Sequence, residues 1–241
     1  MALSTQESEE DSQYILIATI DNAKNISNVL KAILSKDKEL ATIFATENGL
    51  KVTVEDSKCV QANAFLQAAI FQSYVIREDS VTFKISLSVL QECLTIFGGG
   101  SSQGGNPALK ICYAGYGSPL LLMLEENGVL TDCSIKTLEP DETLDFNFTS
   151  ANVINKIIMK SDFPRESDLV ESFQCTQTQS NRYKLSLLKP SVKALMVSCK
   201  VSIRTDHRGF LSLQYMIRNE DGQISFVEYY CAPDEESAEN D

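Results

Sequence analysis

YILIATIDNAKNISNVLKAIL, residues 14–34, decides how this chain folds. Its first seven residues read as a strand. Past Asp21 or Asn22, either of which can cap a helix, apolar residues recur at Ile26, Val29, Leu30, Ile33 and Leu34. That spacing is one stripe of an amphipathic helix. Residues 144–158, LDFNFTSANVINKII, repeat the switch from strand period to helix period at an offset of 128. Ala18, Ile20, Ala23, Ile26, Val29 and Leu30 fall opposite Phe146, Phe148, Ala151, Ile154, Ile157 and Ile158.

Two further matches extend the repeat. Phe83-Lys84-Ile85-Ser86-Leu87 aligns with Tyr183-Lys184-Leu185-Ser186-Leu187 at an offset of 100, and Glu126-Asn127-Gly128 with Glu220-Asp221-Gly222 at 94. The falling offset means that the second copy is about 28 residues shorter in one place.

The first copy reads as strands at 14–20, 39–47, 50–55, 59–76, 80–87, 108–114, 119–125 and 129–138. Its helices are expected at 23–35 and 87–97. Glu47-Asn48-Gly49 and Asn127-Gly128 are hairpin turns. The pattern is βαβββ written twice. The second copy begins with a strand at 143–148 and a helix at 150–160. It ends with a strand at 182–188, a helix at 190–199 with Val192, Leu195, Met196 and Cys199 inward, and strands at 201–206, 210–218 and 223–231. Between Lys160 and Tyr183 only residues 171–179 have strand character, so the counterparts of the 39–47 and 50–55 hairpin are missing.

The net charge of −12 is concentrated at the ends. Glu7, Glu9, Glu10 and Asp11, with Asp234, Glu235, Glu236, Glu239 and Asp241, leave −3 for residues 14–233. The expected organisation is an acidic solvated tail (1–13), a first domain (14–138) and a linker (139–142). A second domain (143–233), shortened between 160 and 171, and an acidic tail (234–241) follow. The seven cysteines form no CxxC pair and read as reduced, buried thiols. No run reads as a signal peptide or a membrane span, which fits the cytosol or nucleus.

Three of the four repeat helices turn lysines away from their apolar stripes. Lys24 and Lys31 lie opposite Ile33, with Asn28 between them. On 150–160 Lys156 lies opposite the stripe and Lys160 at its flank, and on 190–199 Lys193 lies on the flank with Lys200 following on the same side. The helix at 87–97 instead shows Glu92. Basic helix faces side by side suit sequence-independent contact with phosphates. Catalytic patterns are missing. The single histidine, His207, sits in a turn-like Asp206-His207-Arg208-Gly209, and the glycine run 98–105 lacks the GK[ST] of a phosphate loop. Acidic pairs such as Glu55-Asp56 fall on opposite faces of a strand and make poor metal cages. No cofactor and no metal is expected.

The repeat resembles the sliding-clamp family of proliferating cell nuclear antigen and, within it, the Rad-one-type subunits of the nine-one-one checkpoint clamp. The resemblance is carried by Asn48-Gly49-Leu50-Lys51-Val52-Thr53-Val54-Glu55, Cys59-Val60-Gln61-Ala62-Asn63-Ala64-Phe65, Thr143-Leu144-Asp145-Phe146, Val201-Ser202-Ile203-Arg204-Thr205 and Gly209-Phe210-Leu211-Ser212-Leu213-Gln214-Tyr215-Met216-Ile217. The closing Val227-Glu228-Tyr229-Tyr230-Cys231-Ala232-Pro233 also fits. It implies an α+β clamp fold of two βαβββ-duplicated domains, the second lacking one hairpin. It further implies a nuclear, non-catalytic subunit of a heterotrimeric ring around double-stranded DNA. Such a ring is placed at damage sites by a clamp loader, supports checkpoint signalling and serves as a platform for repair enzymes.

By that resemblance Lys24, Lys31, Lys156, Lys160, Lys193 and Lys200 face DNA. Subunits join by strand pairing between 129–138 (Val129, Thr131, Cys133, Ile135, Thr137) and 171–179 (Phe173, Cys175, Gln177). The missing hairpin, with a junction near Lys160-Ser161, implies a weakened second domain and impaired ring closure. The alternatives are a 3′→5′ DNA exonuclease, and a shortened form that binds one partner subunit without closing a ring.

Overall fold

The computed structural model describes residues 9–34, 39–56, 59–96, 106–140, 170–219 and 221–234. The strand expected at 143–148 and the helix at 150–160 lie outside them. Strand β1 (Leu16–Ile20) is followed by helix α1 (Ala23–Ile33), strands β2 (Leu40–Thr46), β3 (Gly49–Asp56), β4 (Val60–Gln67), β5 (Ser73–Ile76) and β6 (Ser80–Ser86), and helix α2 (Leu87–Leu94). A meander follows: β7 (Ala108–Tyr113), β8 (Leu120–Glu126) and β9 (Val129–Ile135). After the short helices α3 (Leu185–Leu188) and α4 (Val192–Val197) comes a second meander: β10 (Lys200–Thr205), β11 (Leu211–Arg218) and β12 (Ile224–Cys231).

Two antiparallel sheets result. One has five strands in the order β5-β1-β7-β8-β9, and the other seven in the order β10-β11-β12-β4-β3-β2-β6. The seven-stranded sheet crosses from one copy of the repeat to the other where β12 pairs with β4, from Phe226↔Phe65 to Cys231↔Val60. Phe83 of β6 and Tyr113 of β7 bring the sheets together, with ring centroids 4.2 Å apart.

The expected helix stripe is buried against this frame. Asn22 caps α1, its side chain accepting from the Lys24 amide at 3.0 Å. Ile26, Val29, Leu30 and Ile33 are all inside; burying each is worth roughly 1.5–3 kcal/mol. Strand β4 meets α1 with Ala62 and Ala64, small enough to let the helix approach closely. The two hairpin turns also form. Asn127 and Gly128 have φ of +53° and +80°, the left-handed pair of a two-residue hairpin. Gly49 opens β3 at φ +127°, directly beneath the backbone of Leu66 and Ala68.

Four expectations need correction. The acidic stretch is not all solvated tail: residues 9–13 form a 3-10 turn. Both carboxylate oxygens of Asp11 accept from Lys110 Nζ, at 2.7 and 2.9 Å, and Arg77 donates to the Asp11 carbonyl. The cause is Lys110, whose side chain is only 12% exposed and so needs a counter-charge. Second, residues 171–179 carry no strand. Third, the strand expected at 182–188 is irregular to Lys184 and then helical in α3. Its counterpart β6 is held by pairing with β2, and among the described residues no copy of β2 stands beside it. Fourth, the inward stripe of α4 points outward. Val192, Leu195, Met196 and Cys199 are exposed, and Ala194 is the buried residue. The helix is only six residues long, and Ala194 is the one residue it buries.

The Gly49 geometry predicts a position-specific cost. A Cβ at Gly49 would overlap the Leu66 carbonyl oxygen and lie 2.7 Å from the Ala68 nitrogen. Gly49→Ala is therefore expected to cost more than about 2 kcal/mol. Gly128→Ala, with nothing within 4 Å of the new carbon, should cost about 1 kcal/mol from the left-handed backbone alone. Urea midpoints of the two variants check the order.

Candidate functional site

One side of the molecule is a row of helices. Helix α1 lies between α2 and α4. The Gln91 amide of α2 donates to Ser27 Oγ, and Tyr229 of β12 donates to the Ala32 carbonyl at 2.6 Å. Everything on α1 is buried except Lys24, Asn28 and Lys31, so the face left to solvent is the basic one expected. Lys193 of α4 is exposed and its ammonium donates to the Leu34 carbonyl at 2.6 Å. That carbonyl closes the C-terminal, partly negative end of α1, where a cation is favoured. Helix α2 turns Glu92 outward.

Lys200 does not belong to this face. Helix α4 ends at Val197, and Lys200 begins β10. Its registered neighbours across the sheet are Met216, Phe226, Phe65, Lys51 and Phe44, all on the side away from α1. Its ammonium pairs with Glu171 at 2.8 Å. Lys156 and Lys160 lie outside the described residues.

That same cross-strand row builds a feature that the sequence reading missed. Phe44, Lys51, Phe65 and Phe226 line an open groove of about 730 Å³ with Gln214 and Glu228. Lys51 Nζ stands 5.9 Å from the centre of the Phe65 ring, a cation–π contact. Glu228, buried at the edge of the groove, accepts from Gln214, Arg204 and Tyr230. Behind it Thr53 donates to Asn63, Asn63 to Gln61 and Gln61 to Glu55, at 2.6–2.9 Å. A signal was available: Ile43, Val52 and Ala64 go to the core, so Phe44, Lys51 and Phe65, one residue along, must face out. Aromatic residues at outward positions mark binding surfaces more often than chance exposure does.

The third feature is a strand edge. Val129, Thr131, Cys133 and Ile135 lie on β9, and Thr137, just beyond, donates to the Ser118 carbonyl at 2.7 Å. Ile135 and its cross-strand partner Leu120 are buried, whereas Val129 and Leu130 are 56% and 58% exposed. Among the described residues β9 pairs with β8 and no other strand. Phe173, Cys175 and Gln177 sit in irregular backbone, the latter two exposed, and are not brought together with β9.

Among the described residues no three His, Cys, Asp or Glu side chains are grouped to hold a metal. His207 is exposed in the turn between β10 and β11, where buried Asp206 accepts from the amides of Arg208 and Phe210, both at 2.9 Å. Burial pushes the thiols of Cys112 and Cys231 up to about 11. Burial, and then the neighbouring Cys133 thiol, do the same for Cys93.

Compared with known proteins, the chain matches the profile of the family described as Repair protein Rad1/Rec1/Rad17, in two stretches, residues 15–163 and 160–217. It is 55% identical over 283 aligned positions to the Homo sapiens protein named Cell cycle checkpoint protein RAD1, covering all of both chains. It is 56% identical over 282 positions to the Mus musculus protein of the same name, again in full. A shorter match, 31% over 96 residues, relates 39% of this chain to 19% of the Mycosarcoma maydis protein named DNA repair exonuclease REC1.

Thiol reactivity tests the burial pattern. Near neutral pH, exposed Cys175 and Cys199 should be alkylated first. Cys112 and Cys231 should be slowest, speeding up as the pH climbs towards 11 and thiolate forms. Time-resolved peptide mass spectrometry gives the order.

Proposed function

The chain belongs to the Rad1/Rec1/Rad17 family of repair proteins, and on that premise we propose that it works in the DNA-damage checkpoint as a non-catalytic subunit of a clamp made of three different chains. It has the α+β sliding-clamp fold, with two antiparallel sheets backing a row of helices. The observation that carries the reading is the opposite character of its two faces. The helix side exposes Asn28, Lys31 and Lys193 and carries half-buried Lys24. The other side holds an aromatic groove.

In this reading the helix side meets the phosphates of double-stranded DNA without sequence preference. The groove receives repair enzymes, and β9 joins a companion subunit. The chain acts in the nucleus and is placed on damaged DNA by a clamp loader. Lys24, Lys31 and Lys193 are the proposed phosphate contacts; Lys200, turned to the opposite face, is not one of them.

Two other readings remain. The shortened second copy favours a form that engages a companion subunit without closing a ring. An exonuclease activity is supported by the printed name of the fungal relative, which matches 39% of this chain. Metal-dependent DNA degradation by the pure chain, abolished by a single carboxylate substitution, would favour the exonuclease over the clamp subunit.

DNA affinity of the chain assembled with its companion subunits should fall with salt. Replacing Lys24, Lys31 and Lys193 by alanine should lower the slope of log affinity against log salt by about 0.9 for each phosphate contact removed. An unchanged slope would mean that DNA lies elsewhere. The groove is tested separately: Phe65→Ala with Phe226→Ala should weaken capture of repair enzymes at least about tenfold, or about 1.4 kcal/mol, and leave the salt slope alone.

A further inference from the structure

Seven thiols are spread over the chain, and two of them meet across the layers of the fold. Cys112 and Cys231 are buried, and Cys175 and Cys199 are exposed. Cys59, Cys93 and Cys133 are half-buried, which leaves each of them partly open to solvent.

Cys93 and Cys133 come from different elements. Cys93 lies in the last turn of α2, next to buried Leu94 and three residues after buried Leu90. Cys133 lies on the inward side of β9 with Ile135, which is buried, while the alternate residues Leu130, Asp132 and Ser134 are exposed. Its registered partner on β8, Leu122, is fully buried, and α2 packs against β9. Both cysteines pack against the same apolar core. Cα atoms of α2 and β9 come within 8 Å, near the roughly 4.4–6.8 Å that a disulfide spans. The Cys133 thiol is a hydrogen-bonding neighbour of the Cys93 thiol.

We propose that Cys93 and Cys133 are a redox site: a dithiol that a hydroperoxide closes into a disulfide, fastening α2 to β9, and that a thiol reductant reopens. The proposal goes beyond the clamp-subunit reading and does not depend on it. In a reducing compartment such a bond forms only while oxidant is present, which is the behaviour of a sensing disulfide rather than a structural one.

The chemistry takes two steps. The Cys133 sulfur attacks one oxygen of the hydroperoxide, the O–O bond breaks, and water or an alcohol leaves with the thiol proton; Cys133 is then a sulfenic acid. The Cys93 sulfur attacks the Cys133 sulfur, the S–S bond forms, the S–O bond breaks, and hydroxide leaves as water with the Cys93 proton. The two thiols give up two electrons and two protons, and the peroxide takes them up. The order follows from Cys93. Burial, the Cys133 thiol and Glu92 hold its proton in place, and the thiolate is the attacking form. Cys93 is therefore the second thiol to react, and its position beside Cys133 offsets its scarce thiolate because that step is unimolecular.

The bond would enclose residues 94–132, which include the glycine run 98–105 and strands β7 and β8. Closing a loop of about 40 residues restricts the unfolded chain strongly. The oxidised protein is thus expected to resist unfolding more than the reduced one.

The test uses the full chain. Hydrogen peroxide is added to the folded protein, the remaining thiols are alkylated, and unreduced peptides are mapped by mass spectrometry. The expected result is a peptide pair joined from Cys93 to Cys133, two hydrogens lighter than the separate peptides and lost on adding dithiothreitol. The melting temperature should rise by roughly 5–15 °C on oxidation. Cys93→Ser should leave Cys133 as a sulfenic acid that dimedone captures, and should abolish that rise. Three results would overturn the proposal: Cys93 and Cys133 still open to alkylation while Cys175 and Cys199 are oxidised, a bond from either to another cysteine, or a Cys93–Cys133 bond that forms only in urea.

Discussion

The pairing of β12 with β4 is the constraint on which the rest of the molecule depends. It turns two short sheets into one of seven strands and fixes where the second copy sits relative to the first. Both faces of the joint are specified. On the helix side Val227 meets Ala64 and Tyr229 meets Ala62, and the Tyr229 hydroxyl crosses over Ala62 to donate to the last turn of α1. Burial holds that phenol well above its ordinary range, so it stays a donor throughout the neutral region. On the other face Glu228 opposes Asn63 inside a run of side-chain hydrogen bonds. A slip of one residue would turn the core residues of β12 to the far side and strand these polar groups.

Once the joint is set, the two functional faces follow from it. Helix α1 is clasped by α2, α4 and the sheet until only Lys24, Asn28 and Lys31 remain outside. A chain with a net charge of −12 can thus still offer phosphates a positive surface, because what counts is the local sign. The groove has the same origin. Phe65 on β4 and Phe226 on β12 belong to different copies of the repeat, and they become neighbours because those strands pair.

The sequence made the strands and α1 legible because both depend on local periods. The strand expectations at 39–47, 50–55, 80–87, 201–206, 210–218 and 223–231 match β2, β3, β6, β10, β11 and β12 to within a residue or two. What it hid depends on partners. The Val192, Leu195 and Met196 stripe has the right spacing to be buried and nothing among the described residues to bury it. Lys200 moved from a helix flank to a strand because α4 stops at Val197. A charge count could not separate Asp11 from the acids around it, since what singles it out is Lys110, 99 residues away. The aromatic groove needs a register across four strands, which no single period contains.

The clearest case of partner dependence lies inside the repeat. Phe83-Lys84-Ile85-Ser86-Leu87 and Tyr183-Lys184-Leu185-Ser186-Leu187 differ by conservative changes, yet the first is strand up to Ser86 and the second is irregular and then helical from Leu185. Side-chain preference cannot account for both outcomes, because strand propensity is largely a measure of fit to neighbouring strands. The first segment has β2 to pair with along all seven of its residues. The second follows a stretch too short to hold a copy of β2, β3 and β4. Leu185 is left 78% exposed, whereas its counterpart Ile85 is fully buried. The shortening therefore acts beyond the residues it removes: it takes away a partner, and the strand that needed that partner becomes something else.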